Sequence, residues 1–233
     1  LIPNLPSKTS LIAPKALTTL YMVAPPNQQV LSIGNRYSLP DGTDTSKYYR
    51  NSFLIKASEI SFVTSQNSVL ITSITLNYFQ GGVVGAPSGA LQILLQNTND
   101  TTYLKGNNWN SITGTGMTTV FANAFNVPAS PIGGGAVSNT CTLTGTGFNY
   151  TLGGLYVAMS YFQGVNSFAG PALAAVNSTG LINGMVFGVS GIGGTLPPVL
   201  SFTSSLRPSL TFTTTASVPT VGVTPISAFY REQ

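Results

Sequence analysis

The chain has 233 residues, 42% of them hydrophobic and only 6% charged, with one cysteine and no histidine. That length suits one all-β domain with extensions, and a charge fraction far below the usual quarter or so leaves a Ser, Thr, Asn, Gln and Gly surface that favours association. Without histidine, Ser–His–Asp and Cys–His catalysis and the common zinc sites are excluded, so the chain reads as non-enzymatic, with no cofactor.

Net charge is +4, but the nine Lys and Arg form no run, which argues against a nucleic-acid groove. Cys141 is single, so no intramolecular disulfide can form, and a small buried apolar residue is expected there. The longest apolar candidate, Leu181 to Ile192, is short and broken by glycines, so no transmembrane segment is expected. The chain opens without Met or a basic leader. If it is exported, its signal sequence has already been removed.

In chain order, residues 1–29 are proline-rich around an apolar patch, Ala16 to Pro26, that includes Leu17, Leu20, Tyr21 and Val23. Such a segment is either an edge strand on its own domain or an arm that adds a strand to a neighbouring subunit. Seven of the fourteen charged residues then fall between Arg36 and Glu59. Within this stretch "PDGTD" is turn chemistry, with Asp41 and Asp44 as candidate calcium ligands. "SFLIKASEI" (Ser52 to Ile60) is the one short helical candidate. Ser68 to Phe79 alternates as a strand, with Leu70, Thr72, Ile74, Leu76 and Tyr78 expected on one face.

Ala90 to Thr98, Met117 to Phe125, Gly154 to Phe162, Asn183 to Ser190 and Pro208 to Thr215 are further strand-length β-rich runs. Between them "QGGVVGAPSG", "SPIGGG", "TGTG" and "GIGGTLPP" are loops. Trp109, set among Asn107, Asn108 and Asn110, reads either as a core anchor or as a sugar-stacking platform. Asn99, Asn149 and Asn177 head N-glycosylation sequons, candidate acceptors in a eukaryotic or archaeal host. From Gly106 to Leu206 no residue carries a charge. Residues 214–233 form a second apolar arm, with Val221, Val223, Ile226 and Phe229. The expected fold is all-β, an antiparallel jelly-roll-like sandwich over residues 30–213, with N- and C-terminal arms at 1–29 and 214–233.

The ordered segments "LSIGNRYSLP", "YYRNSFLIKASEI", "ITSITLNYFQ", "LQILLQNTNDTTY", the tryptophan before "TVFANAF", "GFNYTLGGLYVAMSYF" and "RPSLTF" run from Leu31 to Phe212, about four-fifths of the chain. Together they resemble a secreted β-sandwich domain common in surface proteins and adhesins of Bacteroidetes. The resemblance implies an extracellular, non-catalytic module in which Tyr49, Phe53, Ile55, Glu59, Trp109, Phe148, Tyr150 and Arg207 are framework positions.

Composition, arms and resemblance together lead to an expected function: a structural subunit of an extracellular filament, fibre or surface layer. It would polymerise with itself by strand addition from its arms. A viral capsid or spike jelly roll is one alternative, although the first thirty residues hold only Lys8 and Lys15 as basic residues. A surface adhesin or carbohydrate-binding module, with glycans or a host surface as partner, is the other.

Overall fold

Segments rich in β-branched and aromatic residues with a two-residue alternation bury one face of a sheet, and here they do so as two sheets packed face to face. The computed structural model describes residues 18–21, 29–31, 46–60, 68–79, 88–114, 116–126, 137–151, 153–163, 172–177, 184–191, 194–204, 206–208 and 210–215. One sheet has six strands, in the spatial order β12 (Phe202–Ser204), β11 (Met185–Gly191), β3 (Ser46–Ile55), β9 (Gly154–Gln163), β5 (Ser88–Thr98) and β6 (Thr118–Asn126).

The other sheet is built on β4 (Val69–Phe79) and follows the path β1 (Thr18–Tyr21), β14 (Leu210–Thr215), β4, β10 (Ala172–Asn177), β13 (Leu206–Pro208). To it β2 (Gln29–Leu31) adds on β10, while β7 (Val137–Thr142) and β8 (Phe148–Tyr150) add on β4. The strand pairs are antiparallel throughout. From β3 onward the chain crosses repeatedly between the sheets, so each sheet is stitched by the other's connections. The result is the all-β antiparallel sandwich that the alternation predicts.

Between the sheets lies one core, to which β3 gives Tyr49, Phe53 and Ile55, and β9 gives Leu155, Val157, Met159 and Tyr161. The opposite sheet answers with Val69, Ile71, Ile74 and Leu76 from β4 and with Leu210 and Phe212 from β14. The face expected for the β4 segment is half right. A bulge skips Thr72: Ser73 pairs with Thr213, and Ile71 with Thr214. One extra residue reverses the alternation. Val69 and Ile71 therefore point inward before it, Ile74 and Leu76 after it, and Leu70 and Thr72 do not belong to the buried set.

The helical expectation over Ser52–Ile60 is corrected as well. Residues to Ile55 continue central strand β3, paired on both sides, and only Ala57–Glu59 coil, as a single 3-10 turn. Asn51 to Ile55 are all buried, because the six-stranded sheet is covered on both faces. A strand buried on both faces loses the alternation by which it would be recognised. Gly147, before β8, has φ +101, and a Cβ there would collide with the Ile71 carbonyl, so this tight approach of β8 to β4 needs glycine.

Candidate functional site

Two places in this fold could serve a partner: the edge that β1 forms, among the described residues, in the β4-centred sheet, and the outer face of the six-stranded one. At the edge, β1 runs antiparallel to β14 with Thr18 opposite Thr214, Thr19 opposite Thr213, Leu20 opposite Phe212 and Tyr21 opposite Thr211. Part of the N-terminal arm is thus a terminal strand of the sheet. Leu20 and Tyr21, two of the residues expected to mediate assembly, lie in it. Gln29, the last residue of the arm as drawn from the sequence, begins β2, and β14 extends to Thr215, two residues into the expected C-terminal arm. Leu17, Val23, Val221, Val223, Ile226 and Phe229 lie outside the described residues, as do Asp41 and Asp44.

The outer face of the six-stranded sheet is covered by the segment after β5 and the segment before β12. Asn108 starts the first, its side-chain Oδ1 accepting the Ser111 N–H at 3.2 Å, and a six-residue helix, α1 (Trp109–Gly114), follows. Trp109 N–H donates to the Pro198 carbonyl at 2.9 Å and Leu200 N–H to the Asn107 carbonyl at 2.8 Å, tying the two segments together. Trp109, Ile112 and Leu200 then form a second apolar cluster with Leu94, Ala158 and Val186 of the sheet.

Trp109 is 5% exposed, and the Arg50 guanidinium lies 4.5 Å from its ring centroid. Of the two readings of Trp109, burial and the covering cation support the core anchor. Arg50 also donates through Nη1 to the Pro197 carbonyl at 3.0 Å and the Leu196 carbonyl at 3.4 Å, and through Nε to Ser160 Oγ at 3.4 Å. Burial draws its pKa down from the ordinary arginine value. Among the described residues no carboxylate pairs with it. Next to it opens a groove of about 290 Å³, lined by Ala90, Gln92, Ala122, Asn123, Ser160 and Phe162.

Two further polar clusters are structural in their geometry. Tyr156 OH donates to Asp100 Oδ2 at 2.7 Å and accepts the Leu104 N–H at 3.0 Å, while Lys105 Nζ donates to the Ile112 carbonyl at 3.0 Å. These contacts buckle the segment after β5 onto the sheet. Burial pushes the Tyr156 hydroxyl well above the usual phenol value, helped by Asp100.

Arg207, 1% exposed, donates from Nη1 to Glu59 Oε2 at 2.8 Å, from Nη2 to Glu59 Oε1, and from Nη1 to the Leu54 carbonyl. This joins β13 of one sheet to the end of β3 in the other. Glu59 is held in turn by the Lys56 N–H at 2.8 Å.

A scan against protein-family models finds no match, and neither does a search of curated proteins. Position and chemistry therefore carry the functional reading. Of the eight framework positions, Tyr49, Phe53, Ile55, Trp109, Phe148, Tyr150 and Arg207 are buried, and Glu59 is the partner of Arg207. Cys141 is 1% exposed in the core, where burial pushes its thiol up to about 12. Asn99 and Asn149 are exposed and lie at one end of the sandwich, where Asn97 Nδ2 donates to the Asn149 carbonyl at 2.9 Å. Asn177 closes β10 opposite Leu206. Among the described residues no three His, Cys, Asp or Glu side chains gather as metal ligands, and no helix is long and apolar enough to cross a membrane. Sequence reasoning missed the role of Arg50, whose signal is faint: an arginine midway along a strand, flanked by the neutral Tyr48, Tyr49, Asn51 and Ser52.

Proposed function

We propose that the chain is a non-enzymatic structural subunit of an extracellular filament, fibre or surface layer, joined to its neighbours by strands from its terminal arms. One observation supports this reading: residues 18–21 of the arm form β1, the terminal strand of its sheet among the described residues, laid on β14 of the same chain. A terminal edge strand contributes main-chain hydrogen bonds that an identical strand from another copy supplies equally well, which is the basis of domain swapping and of β-strand addition. Handed from copy to copy in one direction, such a contact is heterologous and propagates unless its rotation closes into a ring.

The composition supports the same reading. With no charge between Gly106 and Leu206, the surface can pack against copies of itself without burying unpaired ions, a costly error at an interface. So does the resemblance to exported, non-catalytic surface domains.

Size-exclusion chromatography with negative-stain microscopy, on the full chain and on a form lacking residues 1–29, tests it. Filaments, fibres or sheets from the full chain that vanish on truncation are expected. A monomer in both samples would sink the reading.

A further inference from the structure

We propose that the groove beside Arg50 binds a carboxylated sugar, such as a uronic acid residue of a polysaccharide. This stands independently of assembly, since the groove lies on the outer face of the six-stranded sheet and not at the β14 edge. Three features carry it. The first is the cation. Arg50 is half-buried and has no carboxylate partner among the described residues, and its Nη2 makes no hydrogen bond among them. An incoming carboxylate would meet a charged donor already fixed in place by Trp109, Ser160 and two carbonyls.

The second is continuity. Ser160, which accepts from Arg50 Nε, and Leu196, whose carbonyl accepts from Nη1, both line the groove, so the guanidinium lies directly behind two residues of its wall. The third is the rest of the lining. Gln92 and Asn123 offer amides to sugar hydroxyls, while Ala90, Leu91, Ala122 and Phe162 make the rest of the lining largely apolar, as the C–H side of a pyranose prefers. At about 290 Å³ the groove is at the small end of the roughly 300–1,000 Å³ typical of ligand sites. That volume suits one sugar residue better than a peptide segment.

Saturation-transfer NMR on the full chain, with methyl glucuronide and methyl glucoside as paired probes, isolates the carboxylate and works whether or not the chain assembles. The glucuronide is expected to give a saturable signal with at least about tenfold higher affinity than the glucoside. Arg50→Gln should erase that preference, and Ala122→Trp, at an exposed position of β6, should fill the groove and remove the signal. If Arg50→Gln unfolds by circular dichroism, Ala122→Trp alone decides. Equal affinity for both probes, no saturable signal from the glucuronide, or an unchanged signal in Ala122→Trp would overturn the proposal.

Discussion

Replacing Glu59 by Gln keeps the shape of the side chain and removes its charge, at a place where the fully buried cation of Arg207 depends on it. In the native protein the Arg207 guanidinium is 1% exposed and reaches both Glu59 oxygens and the Leu54 carbonyl. Glu59 Oε2 also accepts the Lys56 N–H. A Gln amide offers one acceptor where the carboxylate offered two, and in either orientation its NH₂ faces a guanidinium N–H, in one of them the Lys56 N–H as well, all donors. Breaking a buried ion pair by removing one partner costs about 3–5 kcal/mol. Glu59 is 19% exposed, so water relieves part of this and the lower end applies, about 3 kcal/mol.

For a domain of this size each kcal/mol moves Tm by roughly 2–4 °C, so Glu59→Gln should melt about 6–12 °C lower. Guanidinium denaturation should show the same loss in midpoint with an unchanged slope. Glu59→Gln with Arg207→Met removes both partners and fills the space with an apolar chain, and should recover most of the loss. A single variant that loses less than about 1 kcal/mol, or a double variant no better than the single, would refute the claim that an uncompensated buried charge is the cause.

Three other substitutions or conditions probe the same framework. Asn51 is completely buried on the inner face of β3, between Met159 and Phe187, and among the described residues neither of its side-chain polar atoms finds a partner. Asn51→Leu should therefore stabilise the protein by about 1–3 kcal/mol in chemical denaturation, the cost of an unsatisfied buried polar group; a loss would show that the amide has a partner in solution. Gly147→Ala should cost more than about 2 kcal/mol, through its positive φ and the collision with the Ile71 carbonyl, whereas Gly145→Ala, with open space around its Cβ position, should cost only the backbone term of about 1–2 kcal/mol. Equal losses would remove the close approach as the reason for the glycine.

Burial pushes the hydroxyls of Tyr103, Tyr150 and Tyr161 up to about 12, from an unfolded value near 10. Above pH ~10 the unfolded chain releases protons that the folded one keeps, so stability is intact below that pH and falls as pH rises toward 12, by up to about 1.4 kcal/mol per pH unit for each buried tyrosine. Tyrosinate absorbance and circular dichroism should change together in one steep alkaline transition. Gradual tyrosinate formation in a still-folded protein would contradict this.

The parts of the fold legible in the sequence are those where one face meets the core and the other does not. Ala90 to Thr98, Met117 to Phe125 and Gly154 to Phe162 match β5, β6 and β9 to within two residues, because each is a long β-rich run bounded by turns. The β4 face was misread on the N-terminal side of the bulge, since an extra residue at Thr72 leaves no mark in composition. The end of β3 was misread because strands covered on both faces lose their period, and the cover itself comes from loop segments after β5 and before β12. Trp109 was visible as an anchor but its cation was not: Arg50 lies far away in sequence and meets it only through the packing of β3 under α1. Arg207 stood out as the first charge after a hundred neutral residues, which marks it as special without revealing that Glu59 completes it.

The account's central claim is that copies of the chain are joined by arm strands, and the register of β1 on β14 allows a direct chemical test. In a Cys141→Ala background, Thr19→Cys and Thr213→Cys are made as separate chains; these positions are opposite one another in the ladder. The two proteins are mixed, assembled and oxidised, then run on a non-reducing gel beside a chain carrying both cysteines. Strand exchange predicts a disulfide-linked heterodimer in the mixture and a covalent ladder from the double variant. A double variant that closes only within single chains, with no heterodimer in the mixture, would contradict exchange at this edge. If multimers persist in that sample, the join lies elsewhere, and if none forms, the assembly reading itself fails.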